Sequence, residues 1–257
     1  DASAVRWQLA TALFEDKQNE AAADQFDKLQ TESLPPALQE RIETYRKALR
    51  ERDSWQFNAG LNITREQNIN QAPGQRRLGN HLNDEQCRAV RLAYPDDDCF
   101  RGWTFPEPIN ATAIHYQIGA EKKWSLPHGF YATAGADHYG KIYPKHTNYN
   151  DLTTRFSAGI GYADQRSDIG MTPFHERRFY GNDPYTYTNG ARVHYNHWWQ
   201  PKLQTLSAFE AGRLKNSRRE HSNNTSQLLS NSIVYYRNAR QYWVAGCLLY
   251  TSDAADE

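Results

Sequence analysis

The chain has 257 residues, 39% of them hydrophobic, and its 30 Lys and Arg equal its 30 Asp and Glu. That balance lacks the cationic surplus with which nucleic-acid binders neutralise phosphates, so no nucleic-acid partner is expected. No run of about 18 apolar residues is present, which excludes a membrane-crossing helix and leaves strands as the one route across a bilayer, a pattern that a mean hydropathy of -0.89 conceals.

Residues 1–52 carry helical spacing. Leu9, Ala10, Leu13, Ala22, Phe26 and Leu29, followed by Pro35, have the small–large pattern of a tetratricopeptide-like helical hairpin. Pro36 suits the first turn of a third helix, in which Leu38, Ile42, Tyr45 and Leu49 recur at helical period. One such unit cannot bury its faces alone, so either further repeats are expected ahead of Asp1 or this unit caps an array. The chain opens without Met and already in helical character, and is expected to be a piece of something longer.

After Asp53 the period changes from 3.6 to 2. In SWQFNAGLNIT, residues 54–64, Trp55, Phe57, Ala59, Leu61 and Ile63 share one side of an extended chain, and Gln56, Asn58, Gly60, Asn62 and Thr64 share the other. Thr112 to Trp124 and Leu152 to Tyr162 alternate in the same way, and further strands are expected near 130–143, 169–180, 186–198, 203–216, 226–237 and from 241 onward. LPHG, DQRSD, WQPK and RNAR are tight connections. They alternate with long ones: residues 66–110, YPKHTNYN, GNDPYTY and KNSRREHSNNTS. Aromatic residues gather near the tight turns: Trp124, Phe130, Tyr131, Trp198, Trp199, Tyr235, Tyr236, Tyr242 and Trp243, and all but Tyr131 are taken as candidates for an interfacial girdle.

The expected fold is therefore α+β by segment: a helical hairpin unit over 1–52, then an antiparallel up-and-down transmembrane β-barrel over 53–246, of which about eight or nine strands are present. The alternative with the same period is a soluble antiparallel sandwich with one buried face. In the barrel reading the apolar side of each strand meets lipid and the polar side a wet lumen. Residues 247–257, CLLYTSDAADE, read as the in-frame translation of a sequencing adapter. They are set aside together with Cys247, and the native chain is expected to continue past Gly246.

The blocks YRKALRERDSWQFNAGLNITREQNINQAP, GAEKKWSL, HERRFYGNDPYTYTNGAR, LKNSRR and YYRNARQYW closely resemble the Slam family, the surface lipoprotein assembly modulators. The resemblance covers nearly all of residues 1–246. It implies an outer-membrane protein of a Gram-negative bacterium, with periplasmic tetratricopeptide helices ahead of a barrel of about fourteen strands. It also implies translocon-like delivery of surface lipoproteins, or of related secreted proteins, from periplasm to cell surface, with a client protein, a periplasmic chaperone and outer-membrane lipid as partners. A passive porin or receptor with a periplasmic partner-binding domain is the alternative. Residues 74–102 form a longer first loop than the family leads one to expect, and the C-terminal half of the barrel is missing.

Catalytic signals are weak, and no enzymatic role, cofactor or metal is expected. Ser157 in RFSAGIG lacks the leading Gly of a nucleophile elbow, and GIGYAD has two glycines at dinucleotide spacing without a third or a following helix. His194 and His197, three apart on a strand, point to opposite faces and cannot share a metal. Cys87 and Cys99 lie in one loop expected to face the oxidising exterior. A disulfide between them would close about 13 residues and stabilise the loop by roughly 3 kcal/mol. The neighbouring Asp96, Asp97 and Asp98 are either a solvated acidic run or calcium ligands. Glu66, Glu121, Lys123, Asp137 and Arg155 fall on the polar parity, with Glu176, Arg177, Arg178, Glu210 and Arg213 as further candidates. A charge facing lipid at the midplane costs about 2–4 kcal/mol, so all ten are expected to line the lumen, bracing the wall or lining a passage.

Overall fold

The computed structural model describes residues 2–32, 34–217, 223–238 and 240–254, with nothing said of the side chains of Asp253 and Ala254. Three helices come first: α1 (Ala2–Glu15), α2 (Asn19–Gln30) and α3 (Pro36–Arg52). Pro36 sits in the first turn of α3, where its missing N–H leaves no bond unmade. Ala22, Phe26 and Leu29 of α2 meet Ala10, Ile42 and Leu49 in a closed core. Trp7, Phe14 and Tyr45 complete it, with ring centroids 5.9 Å apart for Trp7–Phe26, 4.9 Å for Phe14–Tyr45 and 5.2 Å for Phe26–Tyr45. Leu9 is 47% exposed. The inward stripe of α1 runs Trp7, Ala10, Phe14, one helical step from the face that Leu9 shares.

After a linker of Asp53 and Ser54 the chain enters β1 (Trp55–Glu66). The stretch read as one loop then folds into a small lobe: β2 (Arg77–His81), α4 (Asp84–Ala93) and β3 (Phe100–Thr104), with β2 and β3 paired antiparallel. Asn83 opens α4 with a capping box, its side chain accepting from Gln86 N while the Gln86 side chain accepts from Asn83 N. Gly79 and Gly102 face each other in this hairpin, where a Cβ on either would lie 2.2 Å from a facing carbonyl oxygen. Cys87 and Cys99 are joined by a disulfide, with Cα atoms 5.3 Å apart.

The rest is a meander: β4 (Ala111–Ser125), β5 (Phe130–Ile142), β6 (Asp151–Ala163), β7 (Ser167–Tyr180), β8 (Asp183–Gln200), β9 (Leu203–Asn216), β10 (Asn224–Asn238) and β11 (Gln241–Ala254). With β1 they form one nine-stranded antiparallel sheet in the order β1-β4-β5-β6-β7-β8-β9-β10-β11. The helices-then-sheet order matches the expectation from the change of period. One of the four long connections is different. GNDPYTY contains only a two-residue turn, Gly181 and Asn182, both at positive φ (60° and 69°), and β8 begins at Asp183. Two central residues at positive φ are what a type I′ hairpin requires, and they let β7 and β8 project together. The stretch Cys247 to Ala254 lies in β11, in register with β10 from Asn231 to Asn224. An open strand edge offers backbone donors and acceptors to any extended segment, so this pairing carries no information about the stretch's origin. Residues 255–257 lie outside the described residues, as do 218–222 of the connection before β10.

Reducing the lobe, or replacing Cys87 and Cys99 with Ser, is expected to destabilise the closed loop by roughly 3 kcal/mol. Limited proteolysis checks this: cleavage within the lobe should accelerate while the large sheet keeps its thermal transition.

Candidate functional site

The register divides the sheet into two unlike faces. Trp55, Phe57, Leu61 and Ile63 of β1 share a face with Ile114 and Ile118, then Phe156 and Ile160, then Met171, Val193, Phe209 and Leu229 across the following strands. Phe57 is 77% exposed and Ile160 65%, and among the described residues no second sheet packs over this side. The opposite face holds every carboxylate that β1 and β4 to β10 carry: Glu66, Glu121, Asp137, Asp151, Asp168, Glu176, Asp183 and Glu210.

Along that polar face the charges pair across strands. Near the long connections Glu66 receives Lys141 Nζ at 3.2 Å, His115 Nε2 at 2.9 Å and the Tyr143 hydroxyl, and Arg178 grips Asp151 through two bonds of 2.7 and 2.6 Å. In the middle, Arg155 reaches Glu210 at 3.2 Å and Glu176 at 3.9 Å with its guanidinium 3.7 Å from the Phe174 ring centre. Toward the tight turns Asp168 accepts from Tyr131 Oη at 2.6 Å and lies 3.1 Å from His194 Nε2, while Lys123 Nζ stands 3.7 Å over the Tyr131 ring. Glycines make room for these side chains. A Cβ at Gly161 would lie 2.2 Å from Tyr131 Cζ, one at Gly119 2.2 Å from Asp137 Oδ1, and one at Gly190 2.5 Å from Phe174 Cζ. Two hollows result. One of about 840 Å³ is lined by Asn62, His115, Lys141, Glu176 and Arg178, and another of about 300 Å³ lies between the helices and the tight-turn end.

The helical unit is clamped at that end. Asn19 donates to Ser125 Oγ at 2.7 Å, Ser125 donates its hydroxyl to Asp53 at 2.5 Å, and Arg52 donates to Asn19 Oδ1 at 2.7 Å and to the Phe14 carbonyl at 3.0 Å. Lys17, in the α1–α2 turn, lines the smaller hollow beside Arg52 and Lys123. Burial first, and Arg52 second, hold its ammonium below the usual lysine range.

Of the residues singled out from sequence, Glu66, Glu121, Lys123, Asp137, Arg155, Glu176, Arg178 and Glu210 lie on this polar face. Arg177 and Arg213 lie on the apolar one, opposite Thr154 and Asn189 respectively. Strand parity is the reason: Arg177 stands between two inward neighbours, and Arg213 is three residues from Glu210. The girdle candidates divide for the same reason. Trp124, Phe130, Tyr235 and Trp243 take the apolar side, and Trp199 is exposed with its ring 4.7 Å from that of His197. Trp198, Tyr236 and Tyr242 take the polar side, Trp198 stacked on Tyr236 at 5.5 Å and Tyr242 tilted against it at 5.9 Å. His194 and His197 are on opposite faces, the latter 3.0 Å from Ser167 Oγ. Two carboxylates of the acidic run beside Cys99 are engaged locally. Asp97 accepts from Arg101 and Cys99 N, which hold its carboxyl below the usual range, and Asp98 pairs with Arg77 at 3.0 Å. Among the described residues no three metal-ligating side chains converge. Sequence reading missed His115, Lys141, Tyr143 and Asp151, whose link is cross-strand register that no local pattern reveals.

A helical unit clamped to an uninterrupted antiparallel meander, one face charged and the other apolar, defines a class of protein whose sheet works as a two-sided wall. The chain belongs to the surface lipoprotein assembly modifier family, whose model matches residues 55–257. It is 54% identical over 97% of its length to surface lipoprotein assembly modifier 1 of Neisseria meningitidis serogroup B, covering 47% of that protein. It is 41% identical over 96% of its length to the surface lipoprotein assembly modifier of Moraxella catarrhalis, covering 44%, and 28% identical over 74% to the hemophilin secretion modulator of Acinetobacter baumannii, covering 39%. The chain thus spans about half the length of the curated relatives it matches. No solved structure matches it.

Arg155→Ala is expected to lower stability by roughly 1–2 kcal/mol, less than for a fully buried pair because these side chains are about a quarter exposed. Thermal unfolding reads this, with Arg155→Lys recovering part of the loss. Gly161→Val should evict the Tyr131 ring and cost about 1–3 kcal/mol by overpacking. An unshifted transition would mean the ring has somewhere else to go.

Proposed function

We propose that this chain is part of an outer-membrane translocon that delivers a surface lipoprotein, or a related secreted protein, from periplasm to cell surface. The observation that carries this reading is the one-sided sheet. Leaving a large apolar side chain in water forfeits about 1.5–3 kcal/mol. The exposed row on β1 alone, from Trp55 to Ile63, would therefore forfeit on the order of 10 kcal/mol, comparable with the whole stability of an ordinary domain. Acyl chains remove that cost, which favours the barrel over the sandwich. With further strands joining β11 to β1, the sheet closes into a barrel of about fourteen, and its paired charges line the interior.

In this arrangement the tight turns and the clamped, tetratricopeptide-like helices lie in the periplasm, where they recruit the client or its chaperone, and the disulfide-closed lobe lies outside. The names of the relatives support the client class. The periplasm offers no ATP, so folding of the client on the far side is the proposed driving force.

Surface protease shaving of cells that express a lipoprotein client tests the reading. Client cleavage should appear with the intact protein and fall several-fold without it. Unchanged exposure, together with ion conductance through the purified protein, would favour a passive porin instead.

A further inference from the structure

The apolar face of the sheet is free of carboxylates on β1 and β4 to β10, yet it is not free of cations. Three gather on neighbouring strands at the long-connection end. Arg177 of β7 and Lys215 of β9 flank Tyr187 in one cross-strand row, and Arg213 follows in the next row beside Asn189. All three cations are exposed, and among the described residues none is joined to an acidic partner by an ion pair. At a strand spacing of about 4.8 Å, Arg177 and Lys215 are roughly 10 Å apart at the backbone, within reach of one shared anion for side chains of this length. Two rows beyond Arg213 on the same face, past Pro173, Ala191 and Ala211, stand Met171, Val193 and Phe209, with Leu229 beside Phe209 on β10.

A cation cluster bordering an apolar row on the same surface is complementary to an amphiphile with an anionic head and hydrocarbon tails. We propose that Arg177, Arg213 and Lys215 bind the phosphate of an anionic lipid headgroup in the leaflet at the long-connection end, with the acyl chains lying over Met171 and Phe209. This rests on the membrane reading above and goes beyond it, because a lipid-facing wall by itself has no need of a headgroup preference. The alternative home for these charges, the polar face, is closed to them by parity. Long cationic side chains at the border of an apolar band reach the headgroup layer instead.

Native mass spectrometry of the intact protein from mild detergent, titrated with phosphatidylglycerol and separately with phosphatidylcholine, tests the site. The expected result is a preference for phosphatidylglycerol of about tenfold or more that is abolished in R177Q/R213Q/K215Q and kept in R177K/R213K. The lysine variant and a β-sheet circular dichroism spectrum guard against misfolding. Equal binding of the two lipids by the unaltered protein, or a preference surviving the triple substitution, would overturn the site and leave the membrane reading standing. A protein that stays monodisperse without detergent would overturn the membrane reading itself.

Discussion

Strand parity is the constraint on which the rest of this molecule depends. A pleated strand sends successive side chains to opposite faces, and antiparallel register carries that choice from each strand to the next. Once Trp55, Phe57 and Leu61 are on one side of β1, the pairing of Leu61 with Tyr116, Tyr116 with Gly140 and Gly140 with Leu152 fixes the sides of β4, β5 and β6 as well. A slip of β6 by one residue would bring Arg155 to the apolar face, away from Glu210, and Ile160 to the charged one. The charged network and the apolar wall are therefore a single arrangement seen from two sides.

The helical unit obeys a different rule. Its stability comes from enclosure, with aromatic rings of three helices in mutual contact, whereas the sheet encloses little beyond its own polar contacts. The two meet at the first tight turn through Asn19, Ser125 and Asp53, which are all short polar side chains and are all occupied with one another. Around the hollow near that turn Lys17, Arg52 and Lys123 outnumber Asp168, which gives the junction a positive character that the rest of the polar face, with its alternating signs, does not share.

Much of this was legible in the sequence wherever one face is apolar throughout. The alternation in β1, β4 and β6 located those strands and their orientation, and the spacing of Ala22, Phe26 and Leu29 located the helical core. Where the signal failed, a specific local feature competed with the pattern. GNDPYTY resembles a long loop because Gly, Asn, Asp and Pro are turn formers, but a left-handed pair at Gly181 and Asn182 completes the turn in two residues. The doublets Trp198–Trp199, Tyr235–Tyr236 and Tyr242–Trp243 look like a belt by composition, and parity divides each of them. In the lobe, β2 and β3 are five residues long with a central glycine, too short to show a period, although Asn83 and Gln86 were a readable capping box. The cross-strand partners of Glu66 lie 49, 75 and 77 positions away, distances that only register can supply.

The two-residue linker between α3 and β1 gives the junction a mechanical property. A flexible tether would let the helices swing and absorb any tug on them. Here Asp53 follows α3 directly, accepts from Ser125 at the end of β4 and is gripped at its carbonyl by Lys122. Displacing the helices would therefore pull on the rim of the sheet through these bonds, as a crank pulls on the shaft to which it is keyed.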